Sequence, residues 1–324
     1  MNHALDPRIE PDNDIFELAK VDSRNSAHVI RSLTGHIKAV SLIWIKLLGL
    51  PLLDGVIVRR WSRNASTIVD RFCRQHQFSQ VLLRIDKKDQ RWTQRRGGFL
   101  VSFGDLPRIV AHLATEDFVS ILLEPASPWA DLYSFGAIVD PDQGKLTIEI
   151  VGPGFDASDI LRSDIQPHER FELPWPPVLR HDPQLPEEAD FNRVYLTDPG
   201  SYVKSVTQRL IKISKRLRDP HSFDKGSELS DVEIRRERAA AIALLEERKQ
   251  TLLLRNLHSY APVPSPYLRT FVSGILKLML GLEGRGIALG ATSISGSFIS
   301  EDRLVYWDFF PANPEQFTVL YRGI

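Results

Sequence analysis

The stretch from Gln80 to Gly152 decides the fold, and it opens with the apolar segment Gln80-Val-Leu-Leu-Arg-Ile-Asp86. A charged loop follows, ends in Arg95-Arg96-Gly97-Gly98, and leads into a second apolar segment, Phe99-Leu-Val-Ser-Phe103. Two strands joined by a Gly-Gly turn with a basic flank can hold a polyphosphate, because glycines let the backbone come close while N–H groups and Arg side chains converge. An ordinary β-hairpin with a Gly-Gly turn has the same pattern, so the sequence leaves both interpretations open.

Further elements are predicted within this stretch and before it. A short helix is expected from Asp105, followed by a strand that ends in Leu122-Leu123-Glu124 and a hairpin from Tyr133 to Ile150. Upstream, apolar positions at helical spacing predict helices over 26–50 and 65–76, with a short strand at 56–58 between them. Alternation of helices and strands predicts an α/β or α+β fold. We expect an antiparallel central sheet at 80–150 that packs against C-terminal strands at 285–310.

Composition is typical of a globular chain. Of the 324 residues, 43% are hydrophobic and 25% are charged, and the length allows two or three subdomains. Lys+Arg and Asp+Glu both number 41, so no excess charge calls for a nucleic acid or an anionic membrane. The single cysteine, Cys73, excludes a disulfide framework and a cysteine-based zinc site. Residues 1–14 are expected to be a loose tail without the apolar core of a signal peptide, and the longest apolar run, 39–53, is too short to span a bilayer. We therefore expect a cytoplasmic protein.

The middle of the chain, 155–264, has a different character. Six prolines fall between Pro167 and Pro186, which makes regular structure there unexpected. Two helices are predicted next, over 201–218 and from Ser230 to about His258. Their charged faces could bind phosphate or a protein partner, or could simply be solvated faces of a helical hairpin. We interpret 155–264 as an insertion between subdomains at 15–79, 80–154 and 265–324.

The C-terminal part is predicted to form one helix and three strands. The helix covers 267–280, and the strands cover 285–291, 295–299 and 303–310. Asp308 stands out, because a carboxylate between Trp307 and Phe309 needs a partner if it is buried. A metal ion, a cationic ligand, a buried Arg or simple exposure on one strand face would each satisfy it.

With these residues in view, the order of elements resembles the ATP-grasp superfamily. Leu83-Arg84, Arg96-Gly97-Gly98-Phe99 and Leu122-Leu123-Glu124 occupy the places of that family's basic strand residue, glycine-rich flap and hinge carboxylate. The Gly-Leu-Pro-Leu-Leu turn at 49–53 resembles the preceding subdomain. The segment from Asp302 to Asp308 resembles the closing subdomain, where carboxylates hold magnesium. The resemblance implies two subdomains that face a nucleotide cleft, with a helical insertion.

The resemblance also implies a set of ligands and a reaction. ATP would bind with Mg²⁺, and the phosphates would contact Arg84, Arg96 and the Gly97–Gly98 backbone. Glu124 would take a ribose hydroxyl or mark the hinge, and Asp308 would bind the metal. Arg285 would hold a substrate carboxylate or the γ-phosphate, unless it is a plain surface residue after a glycine turn. The reaction typical of the family converts a small carboxylate into an acyl phosphate, which an amine or thiol then attacks.

The chain departs from the family at its metal ligands. The family usually has lysine at the place of Arg84 and reads Glu-x-Asn on the last strand, where this chain reads Asp308-Phe309-Phe310. The preceding strand offers Ser295 and Ser297 in place of a carboxylate. One carboxylate and the phosphates can still hold one Mg²⁺, whereas two ions would be harder to hold. We therefore expect weak, Mg²⁺-assisted nucleotide binding with slow or absent turnover. A working ATP-dependent ligase and a regulatory or assembly module that binds a nucleotide or a partner are the alternatives.

Overall fold

The computed structural model of the protein describes residues 14–88, 99–114, 118–125, 132–152, 166–179, 191–218 and 263–322. These residues combine helices with two antiparallel sheets, one of five and one of six strands. They divide into two compact units, of which the first comprises 14–47 and 53–125 and the second comprises 48–52 and 132–322. The mixed α and β class predicted from the sequence is confirmed at this level.

The first unit is built on the five-stranded sheet, whose strand order is β1-β2-β5-β3-β4. All pairs of neighbouring strands in it are antiparallel. Its elements within the described residues are β1 (Ile15–Glu17), α1 (Ser26–Ser32), α2 (Ile37–Leu47), β2 (Gly55–Val58), α3 (Arg63–Gln75), β3 (Gln80–Lys87), β4 (Phe99–Ser102), α4 (Leu106–Ala114) and β5 (Phe118–Leu123).

The local sequence explains where α3 begins and ends. The Ser62 hydroxyl accepts the Ala65 N–H at 3.1 Å, which satisfies one of the free donors of the first turn. At the other end, Gln77 adopts the left-handed conformation with φ of 56°, and the Phe78 N–H donates to the Cys73 carbonyl at 3.0 Å. This is the hydrogen bond of a left-handed helix stop, made here by a residue other than glycine.

The single helix predicted over 26–50 is wrong, because the chain forms α1 and α2 with a break between them. Gly35 lies in the break with φ of 90°, a conformation that ends a right-handed helix and that glycine adopts without steric cost. The apolar periodicity continued across the break, since residues on both sides of it are buried. Periodicity alone therefore could not locate it.

The second unit is built on the six-stranded sheet, whose strand order is β11-β10-β6-β7-β8-β9. Its elements within the described residues are β6 (Tyr133–Asp140), β7 (Lys145–Val151), β8 (Glu169–Pro174), β9 (Asn192–Leu196), α5 (Pro199–Arg218), α6 (Ser265–Glu283), β10 (Thr292–Ser300), β11 (Arg303–Pro311) and α7 (Phe317–Arg322).

Helix α6 covers the apolar face of this sheet at very short range. The Phe271 ring stacks on Tyr306 with centroids 5.6 Å apart, and the Tyr306 hydroxyl donates to the Phe271 carbonyl at 2.7 Å. Gly296 of β10 lies beneath the same ring, where an added Cβ would be 2.9 Å from a Phe271 carbon atom. Gly274 of α6 faces Tyr306 in the same way. The small residues thus let helix and sheet approach each other, which leaves the other face of the sheet for polar side chains.

Residues 48–52 belong to the second unit although the chain on either side of them belongs to the first. The Pro51 carbonyl accepts the Tyr306 N–H at 2.9 Å, and the Gly49 carbonyl accepts the Lys277 ammonium at 2.9 Å. The Gly-Leu-Pro turn predicted at 49–53 therefore serves as an attachment point for β11 and α6.

The prediction that all strands within 80–150 form one central sheet is wrong, because these strands belong to two different sheets. β5 pairs between β2 and β3 in the first sheet, whereas β6 and β7 join β10 and β11 in the second. The predicted strand at 285–291 is wrong, because a turn with Gly286 at φ of 76° follows α6 and β10 begins at Thr292. The Pro-rich segment contains β8, which ends at Pro174 and so keeps its ladder hydrogen bonds.

Two further predictions lie partly or wholly outside the described residues. The glycine flap, Arg96-Gly97-Gly98, falls in the undescribed range 89–98, and the helix expected from Ser230 falls in 219–262. The helix predicted over 201–218 is confirmed as α5. In the described part of the chain, no helix has both the length and the apolar character needed to cross a membrane.

Candidate functional site

The candidate site is the polar face of the six-stranded sheet, opposite the face that α6 covers. Strand pairing places Asp308 opposite Ser295, Ser295 opposite Gly136, Gly136 opposite Glu149, and Glu149 opposite Arg170. Residues directly opposite each other in an antiparallel ladder project from the same face. These five residues therefore form one row across β11, β10, β6, β7 and β8, which we call the polar row.

At one end of the polar row, a carboxylate is held in a nearly closed environment. Asp308 is only 8% exposed, which rules out simple exposure as the explanation for a carboxylate on this strand. The Ser295 hydroxyl, also 8% exposed, donates to Asp308 Oδ1 at 2.6 Å. This distance is short for an O–H···O hydrogen bond, so the Ser295 hydroxyl fixes the orientation of the Asp308 carboxyl group. The pair presents carboxylate and hydroxyl oxygens, the ligand type that hard cations prefer.

A β-bulge places an aromatic side chain beside this pair. Ser295 pairs with Asp308 and Gly296 pairs with Tyr306, so Trp307 is an extra residue on β11. Its indole N–H donates to Ser297 Oγ at 2.7 Å, and Ser297 Oγ lies 2.8 Å from Ser134 Oγ. Because the bulge interrupts the alternation of the strand, Trp307 and Asp308 both serve the polar face. The hydroxyls next to Asp308 are thereby fixed in position.

The other end of the polar row carries two more charged groups, which the sequence analysis missed. The Arg170 guanidinium reaches Glu149 at 3.5 Å and Glu172 at 3.1 Å, and Glu172 also accepts the Lys145 ammonium at 2.8 Å. Burial raises the pKa of Glu149, and the charge of Arg170 opposes that effect. The one signal in the sequence was the alternation of polar and apolar residues along Lys145–Val151, which predicts an outward Glu149.

A separate charged cluster lies inside the first unit, around the predicted phosphate ligand Arg84. Arg84 is 8% exposed on β3, and Asp86, two residues further along the same strand, is completely buried. Asp86 Oδ2 accepts the Ala39 N–H at 2.9 Å in the first turn of α2, where a negative charge is stabilised by the helix dipole. Oδ1 of Asp86 has no hydrogen-bond partner among the described residues. Burial raises the pKa of Asp86, and the Lys38 ammonium opposes that effect.

Two basic side chains of the α2 end complete this cluster. Lys38 is 2% exposed and donates to the Ile85 carbonyl at 2.9 Å. His36 Nδ1 lies 3.0 Å from the Asp86 carbonyl oxygen, which accepts its hydrogen. Burial lowers the pKa of His36, and the charge of Asp86 acts in the opposite direction. The cluster ties α2 to β3, and a phosphate contact for Arg84 stays a prediction.

Glu124 and Arg285 both make contacts that hold the fold. Glu124 Oε1 accepts the Asp54 N–H at 2.9 Å, and the Glu124 N–H donates to the Asp54 carbonyl at 2.9 Å, so this residue closes the end of β5 on the end of β2. Asp54 in turn lies 3.4 Å from His76 Nε2. The exposed Arg285 donates to the Gly281 carbonyl at 3.1 Å and caps the end of α6. Their roles toward ribose and substrate stay predictions.

Comparison with protein-family models finds no match, and no curated protein matches the chain significantly. Within the ranges that the structure describes, no three His, Cys, Asp or Glu side chains come together in a metal-binding group. The function is therefore inferred from the chemistry of the residues in the polar row.

Proposed function

We propose that the protein is an ATP-grasp-like nucleotide-binding protein in which the polar row binds the phosphates of ATP together with one Mg²⁺. The observation that carries the proposal is the buried Asp308 carboxylate, positioned directly opposite the Ser295 hydroxyl on a polar sheet face. Its carboxyl oxygens and the Ser295 hydroxyl are oxygen ligands on one sheet face, the type that Mg²⁺ prefers.

The residues fit a single magnesium ion held jointly with phosphates. Mg²⁺ takes six oxygens and usually keeps several waters, so one protein carboxylate and the ligand's phosphates suffice. Asp308 would supply the charged ligand, and Ser295 would orient its carboxylate. The metal would neutralise phosphate charge when bound. Ser134 and Ser297, on the same face as Ser295, offer neutral hydroxyls in place of the further carboxylates that a second ion would need.

This ligand set supports binding more than phosphoryl transfer. Stabilising the charge that develops on a transferred phosphoryl group normally takes several cations or metal ions. We therefore propose slow or absent ligase turnover, with nucleotide binding as the function. A working ligase that makes an acyl phosphate from a small carboxylate is the alternative, and rapid ADP release in the presence of a carboxylate and an amine would favour it.

The test is the ATP affinity of the parent protein and of Asp308→Asn, measured by calorimetry with Mg²⁺ and with EDTA. Loss of a charge-assisted contact should weaken binding by about 1.5–3 kcal/mol, or roughly ten- to hundredfold. Asp302→Asn is the matched control, because Asp302 lies in the preceding turn, is exposed, and accepts the Ser300 hydroxyl at 2.8 Å. Its ATP affinity should equal that of the parent.

Nucleotide binding that ignores both Asp308→Asn and the chelator would remove Asp308 from the site. Absence of ATP binding by the folded parent protein would overturn the proposed function. Far-UV circular dichroism of each variant separates loss of the site from loss of the fold.

A further inference from the structure

We propose that Arg170 binds an oxyanion of the ligand, a phosphate or a carboxylate, at the end of the polar row remote from Asp308. This inference rests in part on the proposed function, because it extends the same row. Four strand-to-strand steps separate Asp308 from Arg170, and at about 4.8 Å a step their Cα atoms lie roughly 19 Å apart. The row thus has a carboxylate at one end and a guanidinium at the other, with Gly136 between them.

The hydrogen bonds of Arg170 are incomplete. A guanidinium has five N–H donors, and planar oxyanions match its fork with two parallel hydrogen bonds. The contact of Nη1 with Glu149 is 3.5 Å, at the outer limit of a hydrogen bond, while Nη2 reaches Glu172 at 3.1 Å. Nε is buried and has no acceptor among the described residues. The Nε–H group is therefore a donor that an oxyanion of a ligand can use together with an Nη donor.

The surrounding charges also leave room for an anion. Glu172 is shared with Lys145, whose ammonium is 2.8 Å away, so that carboxylate is already neutralised from a second side. Glu149 is the remaining counter-charge of Arg170, at the long distance of 3.5 Å. A phosphate or carboxylate oxygen would therefore compete with Glu149 for Arg170. Arg170 is 34% exposed and Glu149 is 27% exposed, which allows such an exchange.

The competition gives opposite expectations for two variants. Arg170→Lys keeps the charge and loses the fork, so oxyanion affinity should fall about tenfold or more. Glu149→Gln removes the competing charge at nearly constant volume, so oxyanion affinity should rise severalfold. A purely structural ion pair would give no gain of affinity in Glu149→Gln. Arg24→Lys is the control, because Arg24 also pairs with a carboxylate, Asp22, at 2.6 Å and lies outside the row.

The experiment measures three probes on the full chain by calorimetry: Mg²⁺–ATP, inorganic phosphate and succinate. If a phosphate of the nucleotide extends along the row as far as Arg170, Arg170→Lys weakens ATP binding. If a separate ligand occupies the end of the row, ATP affinity stays constant, while phosphate or succinate affinity falls in Arg170→Lys and rises in Glu149→Gln. Either result supports the proposal and identifies the source of the oxyanion.

Two results separate this proposal from the proposed function. In the first result, ATP binding depends on Asp308, but the affinities for ATP, phosphate and succinate are all unchanged in Arg170→Lys and in Glu149→Gln. That result overturns the role of Arg170 alone. Phosphate or succinate binding that depends on Arg170, without any ATP binding, overturns the nucleotide function and keeps the oxyanion site. A parent protein that binds none of the three probes overturns both.

Discussion

The contact between Gly274 of α6 and Tyr306 of β11 makes a stringent test of the second unit. A Cβ added at Gly274 would overlap the Tyr306 hydroxyl and Cζ and would lie 2.9 Å from Cε2. The ring has little freedom to move away, because Tyr306 is 1% exposed, stacks on Phe271 and donates to its carbonyl. We therefore expect Gly274→Ala to destabilise the protein substantially.

The size of the effect follows from three contributions. Overpacking a dense core costs about 1–3 kcal/mol. Displacing the ring would also break the buried Tyr306 hydrogen bond, at about 1–3 kcal/mol for a stranded donor. Alanine is a better helix former than glycine by about 1 kcal/mol, which offsets part of this loss. The net decrease in the free energy of unfolding should be roughly 1–5 kcal/mol, with about 3 kcal/mol as the central value.

Urea unfolding followed by circular dichroism measures this difference. Gly104→Ala is the control, because a Cβ there would meet nothing within 4 Å, and its unfolding midpoint should stay close to that of the parent. Tyr306→Phe removes the atom that the new methyl group overlaps most, so the double variant with Gly274→Ala should lose less than the sum of the single losses. A Gly274→Ala protein as stable as the parent, or strictly additive losses, would refute the packing of α6 on β11.

The remaining predictions concern three single residues. Gln77 has φ of 56°, a conformation that glycine adopts without steric cost. Gln77→Gly should therefore raise the free energy of unfolding, measured in urea, by about 0.5–1 kcal/mol. A decrease in the free energy of unfolding would show that the turn after α3 has another conformation. Burial lowers the pKa of His168 from about 6.5 to about 4. Between these pH values the unfolded chain binds more protons than the folded protein does. The free energy of unfolding should therefore fall by up to about 3 kcal/mol as the pH drops from 6.5 to 4. Urea titrations at pH 7 and pH 4.5 measure this, and an equal fall in His168→Asn would exclude His168 as the cause. Burial raises the pKa of Cys73 to about 11. Iodoacetamide should therefore modify this thiol slowly in buffer at about pH 7.5 and faster in urea, where the protein is unfolded. Fast modification in buffer alone would contradict the burial of Cys73.

The sequence predicted most elements of the fold and one end of the polar row. The apolar and aromatic run along Arg303–Pro311 and the buried apolar run of Phe118–Leu123 identified two strands, because those patterns arise within one element. Asp308 was found because a carboxylate among aromatic residues conflicts with its neighbours. These signals are local, and a single sequence contains them.

The rest of the site depends on strand register, which a single sequence does not contain. Glu149 lies on a hairpin and Arg170 lies in a Pro-rich segment, and only the pairing of five strands aligns them with Asp308. The burial of Asp86 was not predicted either, because it depends on a hydrogen bond from the Ala39 N–H, which lies 47 positions away in the chain. The sheet assignment of β6 and β7 was missed because the sequence of a hairpin predicts the pairing of its own two strands and not the further strand that it joins.

The attachment of residues 48–52 has a consequence for synthesis on the ribosome. The Gly49 carbonyl can accept its hydrogen bond from Lys277 only after Lys277, 228 positions later in the chain, has been synthesised. At about 5–20 residues per second, this interval is on the order of ten to forty-five seconds. During that time Leu48, which is 8% exposed in the finished protein and lies against Gly281 of α6, has no helix to cover it. The emerging chain therefore displays a short leucine-containing loop until α6 is made, and transiently exposed apolar surface of this kind is what chaperones bind.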